Sequence, residues 1–115
     1  MSRAATTSDV FNAIAEPRRR EIVALLAGGR PRSVNELVSA LKLAQPAVSK
    51  HLAVLRAVGL VSAEKDGKSR LYRLNPNQLR AVHDWVGQFE KLWSNQLDRI
   101  KERAERKARE RTHRN

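Results

Sequence analysis

Residues 33–74, SVNELVSALKLAQPAVSKHLAVLRAVGLVSAEKDGKSRLYRL, decide the fold. Their pattern predicts helix, tight turn, helix, then a two-stranded hairpin with a basic tip. Ser33 and Glu36 match a capping box, in which hydroxyl and carboxylate each satisfy a free backbone N–H. The helix they open carries Val34, Leu37, Val38 and Leu41 at helical spacing. Lys42 to Ala44 turn the chain into a further helix that begins near Gln45-Pro46 and buries Val48, Leu52 and Leu55. Gly59 is a natural left-handed stop for it. The runs Leu60–Glu64 and Ser69–Leu74 flank Lys65-Asp66-Gly67-Lys68, and Asp-Gly between extended runs is a strong hairpin signal.

Working outward, Ser8 is placed to cap a short first helix bearing Val10, Phe11 and Ile14. Glu16-Pro17 interrupts that helix, because the residue before a proline avoids helical backbone angles. Pro17 suits the first turn of a second helix, with Ile22, Val23, Leu25 and Leu26, which stops at Gly28-Gly29. Arg30-Pro31-Arg32 reads as loop. Beyond Asn75-Pro76-Asn77, the residues Leu79, Val82, Val86, Phe89, Trp93, Leu97 and Ile100 recur three or four apart. They predict one long helix from Pro76 to about Arg109, interrupted by nothing but a lone Gly87 and spanning roughly 50 Å. No domain this small covers such a helix from one side, whereas a second copy does. The expectation is a mostly helical chain with a small β-hairpin, divided into residues 1–101 for binding and pairing and a basic tail, 102–115.

The 115 residues suffice for one compact domain, and they carry a net charge of +11 with a pI near 11.3. The stretch 101–115 holds seven Lys/Arg and three Glu, so +7 belongs to residues 1–100. That balance points to a polyanion. A membrane surface fits poorly, since the tail offers only Ala104 and Ala108 opposite its charges. There are no cysteines, which excludes disulfides and thiolate metal sites. The first eleven residues lack an apolar signal region, and the longest apolar run is Ile22–Ala27, so the expected location is cytoplasmic.

With Val48, Leu52 and Leu55 turned inward, Lys50 points away from the core. Gln45, Ser49 and Arg56 flank it on one side, Ala47 and His51 on the other. Small residues at 47, 49, 53 and 57 keep this helix slim enough for a major groove. Lys50 can donate to guanine O6/N7, Gln45 can pair with an adenine edge, and Ser49 can serve a base or a phosphate. Lys65, Lys68 and Arg70 cluster at the hairpin tip, where they can neutralise backbone phosphates. The plain alternative is a polar surface helix beside a solubilising turn; agreement between charge, turn and hairpin favours the sharper reading.

Three arginines, Arg18 to Arg20, oppose the dipole of the second helix; Arg19 is read as structural, and the other two are left open. No histidine of His51, His83 and His113 has a partner at ligand spacing except Asp84 beside His83, and adjacent helical residues point about 100° apart. No metal, no cofactor and no catalytic constellation is expected. Trp85, Phe89 and Trp93 could line a ligand pocket, although an interface core is the commoner use of such a strip.

The segments Glu16-Pro-Arg-Arg-Arg-Glu-Ile-Val23, Val34-Asn-Glu-Leu37, Gln45-Pro-Ala-Val-Ser-Lys-His-Leu52, Leu55-Arg-Ala-Val-Gly-Leu60 and Gly67-Lys-Ser-Arg-Leu-Tyr72 together resemble the ArsR-type winged helix-turn-helix regulators over residues 8 to 100. The resemblance implies a homodimeric repressor of double-stranded DNA. It further implies that the first helix, with Phe11, and the last, with Leu79, Val82, Val86, Phe89, Trp93 and Leu97, form the dimer interface while the fourth helix reads an operator. Metal-sensing members often carry cysteines in the third helix, where this chain has Asn35 to Ser39, and no inducer is implied. Ala44 stands where a Ser or Thr cap is usual. A basic winged module that binds RNA or a protein without reading sequence is the competing class. It would need exposed aromatics for stacking, and Tyr72 is the only aromatic of the hairpin.

Overall fold

A computed structural model describes residues 7–113, with ten elements in the order α1 (Thr7–Ile14), α2 (Pro17–Leu26), β1 (Arg32–Ser33), α3 (Val34–Leu41), α4 (Gln45–Ala57), β2 (Val61–Asp66), β3 (Ser69–Leu74), a 3-10 turn (Pro76–Leu79), α5 (Arg80–Gly87) and α6 (Glu90–His113). They form two compact units, Met1–Val82 and His83–Asn115. The expected leaderless N-terminus and the very end of the tail lie outside the described residues. α1 already includes Thr7, so Ser8 sits inside the helix and is not its N-cap.

In the first unit, α1 to α4 and the sheet enclose one core: Val10, Ala13, Ile22, Leu26, Leu37, Leu41, Val48, Leu52, Leu55, Leu60, Val61 and Tyr72. The capping box forms as expected, with Glu36 N donating to Ser33 Oγ and Ser33 N donating to Glu36 Oε1, both at 3.2 Å. Arg30 reaches the same carboxylate at 2.8 Å. Lys42 closes α3 in the left-handed region, φ 56°, and α4 begins three residues later.

Besides Ser8, and besides the 3-10 turn Pro76–Leu79 where the long helix is expected to begin, four features differ from the sequence expectation. Arg32-Ser33 is a strand, not a loop: it pairs antiparallel with β3 through Arg32–Tyr72 and Ser33–Leu71, giving a three-stranded sheet in the order β1-β3-β2. The hairpin turn is Gly67-Lys68, since Asp66 pairs with Ser69, and only Gly67 has positive φ, 63°. Glycine at the first position of a two-residue loop gives the type II′ geometry, which moves the tip one residue from the expected Asp66-Gly67. Glu16 caps α2, its carboxylate accepting from Arg19 N at 3.0 Å. Finally, the long C-terminal helix is broken. After Gly87, Gln88 N and Phe89 N donate to Trp85 and Val86 carbonyls three residues back, and α6 starts anew at Glu90. A helical glycine lacks the stabilisation that holds an α-turn together, by about 1 kcal/mol relative to Ala.

The arginine cluster belongs to α1 as much as to α2. Arg19 Nε donates to the Ala13 carbonyl and Arg20 Nη1 to those of Ile14 and Ala15 at 2.9 and 3.0 Å. Cations there satisfy the last carbonyls of α1 and lie at the negative end of its dipole, which offsets their unfavourable place at the start of α2. Arg18 pairs with Glu21 at 3.1 Å.

The second unit comprises the end of α5 and the 24-residue α6. It leaves Trp85, Phe89, Leu92, Trp93, Leu97 and Ile100 exposed, with the Trp85 and Phe89 rings edge to face at 5.2 Å.

Candidate nucleic-acid interface

α4 is fixed at both ends. Ala44, φ −65° and ψ 146°, provides no side-chain cap, but its carbonyl accepts from Ala47 N at 3.0 Å and Val48 N at 3.2 Å, and Pro46 stiffens the first turn. At the other end Gly59, φ 79°, allows a Schellman closure: Gly59 N donates to Arg56 O and Leu60 N to Leu55 O, both at 3.0 Å. Asn75 then clasps this corner, its backbone N–H donating to Leu60 O at 2.8 Å and its amide to Gly59 O at 3.2 Å. The hairpin thus leaves α4 at a set angle, with both of its ends tied to the helix.

Val48, Leu52 and Leu55 are all buried, which turns the opposite face of α4 outward. Gln45, Ser49, Lys50 and Arg56 are exposed there, while Ala47 and His51 are half-buried. His51 lies within electrostatic reach of Glu16 on α2. Burial acts to raise the Glu16 pKa, yet the backbone N–H groups of Arg19 and Arg18 and the charges of His51 and Arg19 hold it below the usual carboxylate value. Sequence reasoning missed Val54, which stands four residues after Lys50 and is 39% exposed.

In the sheet, side chains alternate. Val61, Ala63, Tyr72 and Leu74 share the face that meets the core, and Lys65 and Arg70, directly opposite one another, continue that face past the end of the core. Ser62, Glu64 and Asp66 lie on the other face with Leu71 and Arg73, and Arg73 bridges to Glu64 at 3.5 Å. β1 stiffens the root of the hairpin and residues 64–70 remain exposed. Tyr72 is only 7% exposed, so it offers no stacking surface.

The distribution of ion pairs is informative. Residues 1–82 hold fourteen Lys/Arg against six Asp/Glu, so eight of the eleven net charges lie in this unit. Three of the six acids pair with arginines, Glu21 with Arg18, Glu36 with Arg30 and Glu64 with Arg73, while Asp66 lies at the wing tip itself. Among the described residues, Lys50, Arg56, Lys65, Lys68 and Arg70 have no ion-pair partner. Lys65 facing Arg70 is moreover a like-charge pair at the closest cross-strand position, an arrangement that destabilises a sheet. A helix and a hairpin that both present unneutralised cations form a surface suited to phosphates and base edges.

Comparison with known proteins agrees. Residues 16–63, from the cap of α2 into β2, match the model of the bacterial regulatory protein, arsR family. An HTH-type transcriptional regulator of Mycobacterium tuberculosis is 38% identical over 89 residues, 77% of this chain and 82% of its own length. The chain belongs to the arsR family. The HTH-type transcriptional repressor SmtB of M. tuberculosis is 44% identical over 74 residues, 64% of this chain but only 54% of its own length. Among solved structures, a possible transcriptional regulator for arsenical resistance aligns with a TM-score of 0.61 at 38% identity, covering 80% of this chain and 92% of that one. An ArsR-like regulator from Rhodococcus sp. RHA1 aligns with 0.63 at 30% identity, covering 84% and 90%. The fold is the winged helix-turn-helix of this family, with α3 and α4 as the helix pair and β2–β3 as the wing. Its relatives are transcriptional regulators, not enzymes.

Asn35 and Ser39 are exposed on α3 with no thiol between them, and His83 Nδ1 meets Asp84 Oδ1 at 3.4 Å without a third donor. Among the described residues no cluster of three or more metal-type ligands exists, and no helix is long and apolar enough to cross a membrane. Of the residues expected at a dimer interface, Phe11 is half-buried and Leu79 and Val82 pack on the core of their own unit. Val86 is half-buried, whereas Phe89, Trp93 and Leu97 stay exposed, Leu97 by 65%.

Proposed function

We propose that this chain is a sequence-specific transcriptional repressor that binds double-stranded DNA as a homodimer. The observation that carries the reading is the set of exposed cations without ion-pair partners on α4 and the wing, in a unit with a net charge of +8. α4 enters the major groove with Gln45, Ser49 and Lys50 toward the bases and Arg56 toward the backbone, Ala47 leaves room for close approach, and His51 contributes from its edge. The wing applies Lys65, Lys68 and Arg70 to flanking phosphates. Residues 1–101 serve binding and pairing, and 102–115 are a basic extension. The exposed stripe Phe89, Trp93, Leu97, continued from Val86, is a seam for a second copy, and Phe11, Leu79 and Val82 of the first unit also serve pairing.

Two copies put recognition helices about 34 Å apart, so the operator is a pseudo-palindrome with half-sites one helical turn apart. Repression follows from occupying a promoter, and SmtB and the SdpR repressor of Bacillus subtilis supply precedents by name, although HlyU of Vibrio cholerae is named an activator. Such a protein works in the cytoplasm. RNA binding without sequence readout is not favoured, because neither α4 nor the wing exposes an aromatic ring.

Affinity against salt tests the reading. A dimer touching about 6–10 phosphates loses roughly a thousandfold or more between 50 and 200 mM salt. Lys50→Ala should weaken binding to a selected operator more than to random duplex, and Lys68→Ala should weaken both alike. Equal patterns for the two variants would remove base reading from Lys50.

A further inference from the structure

The last part of α6 carries a second cationic surface that the winged helix does not use. After Ile100 the helix has no large apolar residue, yet it continues as helix to His113. Trp93, Ile100 and Lys107 are seven residues apart and therefore lie on one line of the helix. The apolar seam thus gives way, on the same face, to Arg103, Lys107 and Arg111, spaced four apart. These three line a groove of about 360 Å³ together with Ile100 and Ala104. All are exposed, and among the described residues neither they nor Lys101, Arg106 and Arg109 have an ion-pair partner, so the stripe is distinguished by its alignment and not by lack of a partner. Glu102 and Glu105 lie around the other side, four residues before Arg106 and Arg109, the spacing and order that favour pairing. Glu110 borders the stripe.

Like charges four apart weaken a helix, so this face costs stability in the free protein. Two copies paired side by side through Trp93 and Ile100 would set these cations against each other. Their complement is a dense anion. We infer that the stripe Arg103, Lys107, Arg111 binds the phosphate backbone of duplex DNA, independently of sequence and separately from α4 and the wing. The inference rests on the proposed DNA-bound regulator, which brings such a polyanion to the protein, one charge per about 1.7 Å of duplex.

The test compares two variants of the full chain with equal charge change: R103Q/K107Q/R111Q on the stripe and K101Q/R106Q/R109Q around it. Fluorescence anisotropy on a random-sequence duplex of about 40 base pairs, from about 50 to 200 mM salt, gives affinity and salt slope. The stripe variant should bind about tenfold or more weakly, with a slope shallower by about 2–3 per chain, and the other variant should lose much less. Circular dichroism should show helix content kept in both, and sedimentation should show unchanged self-association. Equal losses in the two variants, no loss in the stripe variant, or a fall in self-association with duplex affinity intact would each overturn the inference. Wild-type protein that binds duplex without salt dependence would instead overturn the proposed function and the inference with it.

Discussion

Arg70→Glu separates what the wing does for the fold from what it does for DNA. Lys65 and Arg70 face each other across β2 and β3, at the position where like charges repel most within a sheet. Glutamate at 70 replaces that repulsion with an attractive cross-strand pair. Both side chains are exposed, so screening limits the gain to about 0.5–1 kcal/mol at low salt. For a chain of this size that corresponds to a melting temperature raised by about 2–8 °C. DNA binding moves the other way. One lost phosphate contact near 0.15 M salt costs about fivefold, and two wings on one site about thirtyfold, with a shallower salt slope. Thermal melts at low and high salt and anisotropy titrations on duplex supply both readouts. A variant that is less stable at low salt, or that binds duplex as tightly as wild type, would refute the argument that this pair is held against its own repulsion for a polyanion.

Further outcomes follow from single features of the structure. Ala44 has the extended backbone of an N-cap without a side-chain acceptor, so Ala44→Ser should add about 0.5–1 kcal/mol to chemical-denaturation stability. Gly59→Ala meets only ordinary contact with the Gln78 side chain, but the left-handed φ of 79° should cost about 1–2 kcal/mol in the same assay. Replacing Trp93 and Leu97 by Asp should abolish self-association in sedimentation while leaving the melting of the first unit unchanged, since both are exposed in the second. Glu36 is held below the ordinary carboxylate pKa first by Arg30 and then by Ser33 N, and Glu16 by backbone N–H groups against its burial. A depressed folded pKa means that the stabilisation is present above the unfolded value, about 4.3, and is lost as pH falls through the folded one. The wild type should therefore lose stability with acid more steeply than Glu16→Gln/Glu36→Gln, as read from denaturation midpoints in a pH series.

Features set by neighbouring residues were legible in the sequence. The Ser33–Glu36 box, the Lys42–Ala44 turn and Gly59 act within one helical turn of themselves, and the stripe Val48, Leu52, Leu55 fixes which way α4 faces. Features set by distant partners were not. Arg32-Ser33 is a strand because Tyr72 and Leu71 of β3 lie beside it, forty residues along the chain. Arg19 reads as structural and Arg20 stays open in the sequence, and their partners, the carbonyls at the end of α1, become visible only in the structure. Glutamate is an uncommon cap, so Glu16 gave little sign of its role. The turn shifted by one residue because Asp-Gly and Gly-Lys both satisfy hairpin chemistry, and only the observed pairing of Asp66 with Ser69 distinguishes them. For the candidate interface, residue types and the exposed face could be read directly. What could not be read is which cations acids elsewhere had already neutralised.

Selection from a random duplex pool, followed by footprinting of the winners, addresses the central claim most directly. Paired copies that read bases through α4 should enrich one motif repeated with two-fold symmetry, its half-sites about 10 base pairs apart. A pool that stays random although the protein retains duplex, or a motif with no symmetric partner, would contradict it.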